Sequence, residues 1–107
     1  MIVNKHWGYE EIIYNKEYTA KVLTVKPYKS LSLQYHNNKI ETMFVSSGLG
    51  VIYLDEEENV NVMKQGSIFH IHNKRIHRVE NIGDEDLIIF ESSTPEIDDI
   101  VRLKIYE

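Results

Sequence analysis

The side chains best suited to metal chemistry in this sequence lie in one short stretch and at one later position. Gln34, His36 and Glu41 fall within eight residues of one another, and His77 follows well downstream. Gln34 and His36 share one face of an extended strand, because side chains alternate between faces. If the next strand returns antiparallel, Glu41 joins them, and His77 supplies a fourth ligand. Two imidazoles, a carboxylate and an amide oxygen leave coordination positions open for water or substrate.

Spacing alone does not establish a metal site, because a histidine and a glutamate five residues apart occur by chance in many proteins. The donor set suits one divalent ion, with zinc as the first expectation and manganese, cobalt, nickel or iron as alternatives. His70 and His72 alternate with Phe69 and Ile71. This alternation allows both histidines to point into a barrel interior, where one acts as a general base or supports a metal ligand. The alternative is a pair of surface or structural histidines.

The elements that must position these residues are short β-strands. Runs of apolar and β-branched residues predict strands at 20–26, 31–36, 42–46, 50–54, 60–63, 67–71 and 87–91. Turn-rich breaks separate them at the spacing of an all-β sandwich or barrel, and the acidic run at 55–58 is best explained as a solvated hairpin tip. Residues 95–106 hold either a turn of helix or a final strand. The sequence therefore predicts an all-β barrel.

Composition limits the remaining possibilities. With 107 residues, of which 42% are hydrophobic, the chain forms one domain over 1–107. No apolar run approaches the roughly 20 residues of a membrane helix, and the start of the chain lacks a signal-peptide pattern, so we expect a cytoplasmic protein. The sequence has no cysteine, which excludes thiolate zinc sites. Its net charge of −5 disfavours nucleic acid as a partner.

Several stretches, in order along nearly the whole chain, resemble one family. Residues 27–41, 45–50 and 77–81 resemble the cupin domain at the C-terminus of type II phosphomannose isomerases. These bifunctional enzymes join mannose-6-phosphate isomerase to mannose-1-phosphate guanylyltransferase. Residues 7–10 and 98–103 are similar to the entry and closing segments of that domain. The resemblance implies a cupin fold, that is, a small double-stranded β-helix forming a jelly-roll-like barrel.

The resemblance also implies roles for individual positions. The metal-site positions of the family correspond here to Gln34, His36, Glu41 and His77. Lys39 replaces an arginine of the family, and Arg78 matches an often basic position beside the metal histidine. Both are candidates for binding the phosphate of the substrate. Lys39 lacks the two-pronged geometry of arginine. For Arg78, the alternative of an outward-facing surface arginine stays equally open. The turns at 27–28 and 72–74 depart from the family pattern, as do three single positions that leave the sugar unspecified: Asn37, Asn38 and Met43.

The leading functional prediction that follows is a metal-dependent aldose–ketose isomerase that acts on a small sugar phosphate. It would convert mannose 6-phosphate to fructose 6-phosphate through an enediolate, with Lys39, His70 or His72 as the base. Other metal-dependent enzymes share such a fold, so a dioxygenase and a sugar-nucleotide epimerase stay open, as does a non-catalytic carbohydrate-binding module. We also expect a homodimer, because small barrels cover their edge strands by pairing.

Overall fold

The computed structural model describes residues 1–107, which form eleven β-strands. In chain order the strands are β1 (Ile2–Lys5), β2 (Gly8–Asn15), β3 (Thr19–Val25), β4 (Leu33–Tyr35), β5 (Glu41–Ser47), β6 (Gly50–Leu54), β7 (Val60–Met63), β8 (Ile68–Ile71), β9 (His77–Asn81), β10 (Leu87–Ser93) and β11 (Val101–Lys104). The structure contains no helix that is long and hydrophobic enough to span a lipid bilayer.

The strands pack as two antiparallel sheets. One sheet has six strands in the order β1-β2-β3-β10-β5-β8, and the other has five in the order β11-β4-β9-β6-β7. The chain crosses between the sheets repeatedly, as in a jelly roll. The prediction of an all-β, jelly-roll-like barrel is therefore confirmed. The open edges are β1 and β8 in one sheet and β11 and β7 in the other, and the homodimer that would cover them stays a prediction.

The space between the sheets is divided into a hydrophobic core and a polar cavity. Val45 and Ile89 from the six-stranded sheet meet Ile52 and Val79 from the five-stranded sheet, and all four are fully buried. They belong to a cluster of 13 buried hydrophobic residues. Each such side chain contributes about 1.5–3 kcal/mol when it leaves water. This core holds the sheets together, so polar residues can occupy the other part of the interior.

The strands with strong apolar patterns were predicted well, and those with polar sequences were missed. β6 and β7 have the predicted bounds, and the C-terminal stretch contains a strand, β11, rather than a turn of helix. The acidic run at 55–58 is exposed between β6 and β7, as predicted. No strand was predicted at the positions of β1, β2 or β9. In β9 the five residues His-Arg-Val-Glu-Asn include a single aliphatic one, so no apolar alternation reveals the strand.

The expected hairpin between residues 31–36 and the following strand is wrong. β4 pairs with β9 and β11, whereas β5 pairs with β8 and β10 in the other sheet. The segment that crosses between the sheets is held by Asp99, whose carboxylate accepts the backbone N–H groups of Asn37, Asn38 and Lys39 at 3.0, 2.7 and 2.9 Å. The side chains on β4 and β5 therefore meet across the barrel and not along one hairpin.

Candidate metal centre

Three of the predicted ligands converge inside the barrel. The Nε2 atoms of His36 and His77 each lie 3.2 Å from the same carboxylate oxygen, Oε1 of Glu41. Their ring centroids are 5.2 Å apart, and all three side chains are buried. The potential ligand atoms lie within 4.8 Å of one another. This spacing is compatible with one ion bound between them.

Both sheets contribute to this cluster. His36 directly follows β4 and His77 begins β9, so the five-stranded sheet supplies the imidazoles, while Glu41 begins β5 in the six-stranded sheet. Gln34 lies directly opposite His77 in the register of β4 and β9. Directly opposed side chains stand on the same face of a sheet. Gln34, the fourth predicted ligand, thus lies beside the cluster, and the hydroxyl of Ser32 donates to its Oε1 at 3.2 Å.

The other nitrogen of each histidine is fixed by the backbone. Nδ1 of His36 lies 2.6 Å from the carbonyl oxygen of Asp99, and Nδ1 of His77 lies 2.9 Å from that of Arg75. A carbonyl oxygen only accepts hydrogen bonds, so each Nδ1 carries a proton and donates it. In the neutral ring this leaves a lone pair on Nε2, the arrangement commonly found in metal-bound histidines.

The donor set fits a divalent cation. The two Nε2 lone pairs and the Glu41 carboxylate are all hydrogen-bond acceptors. When both rings are neutral, no proton lies between either Nε2 and the carboxylate that it faces. Nε2 of His77 and Oε2 of Glu41 have no hydrogen-bond partner although both are buried. Unsatisfied buried polar atoms are costly, and a cation would satisfy all of these acceptors together. Nitrogen and oxygen ligands of this kind suit zinc, manganese, iron, cobalt or nickel.

The cluster also keeps its carboxylate ionised. Burial alone would raise the pKa of Glu41, but its neighbours, Glu91 first among them, together with the charge of Lys39 outweigh it and hold this pKa well below its usual range. An ionised carboxylate is the form that binds a metal. Glu41 is therefore in the correct protonation state for a ligand.

A chain of buried charges continues from Glu41 along the inner face of the six-stranded sheet. Nζ of Lys39 lies 3.4 Å from Oε2 of Glu41 and 3.6 Å from Oε2 of Glu91. Nζ of Lys21 lies 3.4 Å from Glu91 and 3.2 Å from Glu10. Each buried charge needs a partner, because an unpaired one in the interior costs several kcal/mol. Lysines and glutamates therefore alternate along this wall.

Three members of the charged wall were missed by the sequence analysis: Glu10, Lys21 and Glu91. A signal was present, since Glu91 continues the inward-facing series of β10 that begins with Leu87 and Ile89. Burial, together with the neighbouring carboxylate of Glu41, raises the pKa of Glu91 to about 8 against the opposing effect of Lys39 and Lys21. A charged residue in an inward register position is unusual unless it is paired or functional.

The cluster and the charged wall border one cavity of about 170 Å³. At about 30 Å³ per water molecule, this volume corresponds to about six waters, the scale of a small polar ligand. It is lined by His36, Glu41, Gln34 and Lys39. The fully buried His77 does not line it, but its Nε2 contacts Glu41, which does. The lining also includes residues from both ends of the chain: Lys5, His6, Trp7, Ile97, Ile100, Arg102 and Ile105.

The structure does not bring His70 and His72 to this site. Ile71 between them is fully buried in the core, so alternation turns both histidines outward, and both are exposed. Nδ1 of His70 instead lies 2.8 Å from the hydroxyl oxygen of Thr42 on the neighbouring strand. The expectation that the two histidines face the barrel interior is wrong. Of the three candidate bases, only Lys39 lines the cavity.

Arg78 is also placed outside the cavity. His77 points inward, so the next residue of β9 points to the outer face of the sheet. There the guanidinium carbon lies 4.1 Å from the ring centroids of both Tyr53 and Tyr106, and Nη1 donates to the hydroxyl of Ser30 at 2.8 Å. This geometry fixes the C-terminal tail onto the sheet by cation–π contacts. It offers no support for a phosphate-binding role inside the barrel.

The three departures from the expected family pattern do not line the cavity either. Asn37 and Asn38 are exposed on the segment that crosses between the sheets, and Met43 is buried in the hydrophobic core. Three of the predicted ligands, Gln34, His36 and Glu41, therefore line the cavity, whereas these departures lie outside it.

This architecture, two antiparallel sheets enclosing an inward-facing histidine–glutamate cluster, defines a cupin. The sequence model of the family described as mannose-6-phosphate isomerase C-terminal matches residues 1–105. The chain belongs to this family, which confirms the resemblance seen in the sequence.

Curated relatives share this domain as part of longer chains. The alginate biosynthesis protein AlgA of Pseudomonas putida is 33% identical over 106 residues, which are 95% of this chain and 21% of AlgA. The mannose-1-phosphate guanylyltransferase ManC of Salmonella typhimurium is 31% identical over 106 residues, 95% of this chain and 22% of ManC. The chain thus spans about a fifth of the length of these relatives.

Solved structures share the fold. The capsular polysaccharide assembling protein CapF of Staphylococcus aureus superposes with a TM-score of 0.83 at 20% identity, covering 98% of this chain and 34% of CapF. The cupin domain of Schizosaccharomyces pombe Cnp3 superposes with a TM-score of 0.75 at 13% identity, covering 82% of this chain and 64% of that one. At these identities the similarity establishes the fold alone.

Proposed function

We propose that this domain is a metal-dependent sugar-phosphate isomerase that interconverts mannose 6-phosphate and fructose 6-phosphate. The observation that carries the proposal is the convergence of His36, His77 and Glu41 beside a polar cavity, in a chain that belongs to the family named for this isomerase. Family membership supports the choice of reaction class, and the cluster supports a metal-dependent mechanism for it.

The residues of the cavity have distinct roles in this proposal. His36, Glu41 and His77 hold a divalent ion, with Gln34 as the fourth ligand. When bound, such an ion supplies Lewis-acid polarisation of the sugar carbonyl and its neighbouring hydroxyl, which acidifies the proton on C2.

Lys39, acting as the neutral amine, is the proposed proton carrier: its Nζ takes the proton from C2 and returns it to C1. Among the bases named from the sequence it alone lines the cavity, and its Nζ lies 3.4 Å from the carboxylate of Glu41. Glu91, 3.6 Å from the same nitrogen, orients it toward the cluster. Both carboxylates hold Lys39 at the cavity wall, where it can reach a sugar bound beside Gln34 and His36.

The relatives suggest the setting of this reaction. AlgA is named for alginate biosynthesis, so we propose that the sugar phosphate handled here feeds the assembly of a polysaccharide. The guanylyltransferase activity in the name of ManC belongs to a protein of which this chain covers 22%.

The proposal is tested by assaying conversion of mannose 6-phosphate to fructose 6-phosphate with Zn²⁺, Mn²⁺, Co²⁺ or Ni²⁺ supplied. Gln34→Ala and His77→Ala should each lower turnover by at least about 100-fold, because both remove a metal ligand. His70→Ala is the matched control, since His70 is exposed outside the barrel, and it should keep wild-type turnover. Unchanged turnover in both ligand variants, with the fold retained, contradicts the proposal.

Other results would identify one of the alternative functions. Dioxygen consumption with bound iron would indicate a dioxygenase, and binding of a nucleotide-linked sugar would indicate an epimerase. Carbohydrate binding without turnover across metals and pH would indicate a binding module. Each of these outcomes keeps the cavity as the site and replaces the reaction.

A further inference from the structure

The basic side chains that line the cavity fall into two groups. Lys21 and Lys39, on the charged wall, are each paired with two buried glutamates. Lys5 and Arg102 also line the cavity, yet neither side chain makes an ion pair or a hydrogen bond within the chain. These two cations are therefore available to a ligand, whereas the inner lysines are already neutralised.

Arg102 is aligned with the candidate metal centre. It lies opposite Gln34 in the register of β11 and β4, and Gln34 lies opposite His77 in the register of β4 and β9. These three residues form one row on the inner face of the five-stranded sheet. Neighbouring strands are about 4.8 Å apart, so the backbone of Arg102 is about 10 Å from that of His77.

This separation matches the dimensions of a hexose 6-phosphate. In such a sugar the reacting carbons and the phosphate are at opposite ends. At about 1.5 Å per bond, the six bonds from C2 to phosphorus span up to about 8 Å. A sugar with its carbonyl end at the cluster would thus present its phosphate near Arg102.

Lys5 faces the same cavity from the other sheet. It ends β1, and its partner in the register with β2 is Gly8, which places no side chain beside it. Nε2 of His6 lies 2.7 Å from the carbonyl oxygen of Tyr106, which ties the end of β1 to the tail that follows β11. Lys5 and Arg102 are consequently held on the two sheets that border one opening.

The charge of the whole protein shows which basic side chains could attract an anion to the cavity. The protein has a net charge of −5, which repels anions in general, so a local pair of unpaired cations is the feature that attracts them. Arg78, the candidate from the sequence, is already held between two tyrosine rings on the outer face. Lys39 is held by two carboxylates. Both are therefore already engaged by other groups, whereas Lys5 and Arg102 are not.

We propose that Lys5 and Arg102 form an anion subsite at the mouth of the cavity, which binds the phosphate of a phosphorylated sugar whose other end reaches the histidine–glutamate cluster. The identity of the sugar rests on the proposed function. The subsite itself selects phosphorylated over unphosphorylated sugars, and Arg102 provides the two-pronged donor that suits a phosphate.

The test is calorimetric titration of the full chain, with Zn²⁺ present, with mannose 6-phosphate, mannose and inorganic phosphate. Arg102→Gln and Lys5→Gln should each weaken mannose 6-phosphate binding about 10-fold, the loss expected for one charge-assisted contact. Affinity for mannose should not change, and inorganic phosphate should compete with mannose 6-phosphate in the wild type. Lys64→Gln removes an exposed lysine outside the cavity and is the control for net charge.

The outcomes separate this subsite from the proposed reaction. If the protein shows no isomerase turnover but loses phosphate-dependent binding in Arg102→Gln, the subsite stands and the isomerase proposal falls. If turnover is present and the double variant Lys5→Gln/Arg102→Gln keeps the wild-type KM for mannose 6-phosphate, the subsite is overturned. Equal weakening of mannose and mannose 6-phosphate, or no binding of either phosphate compound by the wild type, also overturns it.

Discussion

The two sheets contribute different chemistry to the same cavity. The five-stranded sheet supplies groups that are neutral at their ligand atoms, Gln34, His36 and His77, and orients the two imidazoles with backbone carbonyls. The six-stranded sheet supplies alternating charges that hold one another, from Glu10 through Lys21 to Glu91. Glu41 is where the two sets meet.

This difference shows that polar side chains can be buried in two ways. A neutral imidazole is satisfied by one hydrogen bond to the backbone and keeps a lone pair free for a ligand. A buried charge is satisfied only by an opposite charge, so removing one member affects the next. The five-stranded sheet should therefore tolerate substitution of a ligand better than the six-stranded sheet tolerates loss of a charge.

The largest effect on stability is expected at Lys21. Lys21→Met leaves the carboxylate of Glu10 without its buried cation, 3.2 Å away in the wild type, and should lower the free energy of unfolding by about 3 kcal/mol. Urea denaturation measures this change. In the double variant Lys21→Met/Glu10→Gln the unpaired carboxylate is absent, so part of the loss should be recovered.

Lys26→Met is the matched control for Lys21. Lys26 pairs with Asp86 at 3.1 Å, but its side chain is 48% exposed. An exposed pair contributes about 0–1 kcal/mol, so its loss should be small. If both methionine variants lose the same stability, the contrast between paired interior charges and surface charges is wrong.

A smaller effect is expected at Asp99, which holds the segment joining the sheets. Backbone N–H groups of Asn38 and Asn37 lower the pKa of Asp99 from its ordinary value of 3.8. Because the folded-state pKa is the lower one, the stabilisation is present above pH 3.8 and is lost as the pH falls through the folded-state value. The wild type should therefore melt above Asp99→Asn at pH 6, and this gap should narrow below pH 4. A gap independent of pH would show that the carboxylate charge contributes nothing.

The sequence identified the residues of the cluster but not the way in which they meet. Alternating apolar residues revealed most strands, because each strand buries one face against the core. Pairing between strands distant in the chain leaves no local signal, so Glu41 was expected on a hairpin with His36 and instead faces it from the other sheet. His77 was named from its residue type, and the family resemblance supported it, since β9 has no apolar pattern of its own that would place it.

The charged residues were the hardest to place from the sequence. Arg78 and Arg102 are both basic residues on short strands, and only the register shows that the first faces out and the second faces the cavity. Alternation with apolar neighbours allowed His70 and His72 to lie inside, but the buried face of β8 belongs to Ile71, as the alternative of surface histidines requires. Alternation separates two faces of a strand without telling which of them is inside.

Elemental analysis of protein purified without a chelator or an affinity tag tests the central claim, that the two sheets together hold a metal ion. The wild type should contain about one divalent metal per chain. His77→Ala should lose it and His70→Ala should keep it, because His77 contacts Glu41 whereas His70 contacts Thr42 outside the barrel. A wild type that carries no metal and takes up none on addition of Zn²⁺, Mn²⁺, Co²⁺, Ni²⁺ or Fe²⁺, or a metal content equal in all three proteins, would contradict the account.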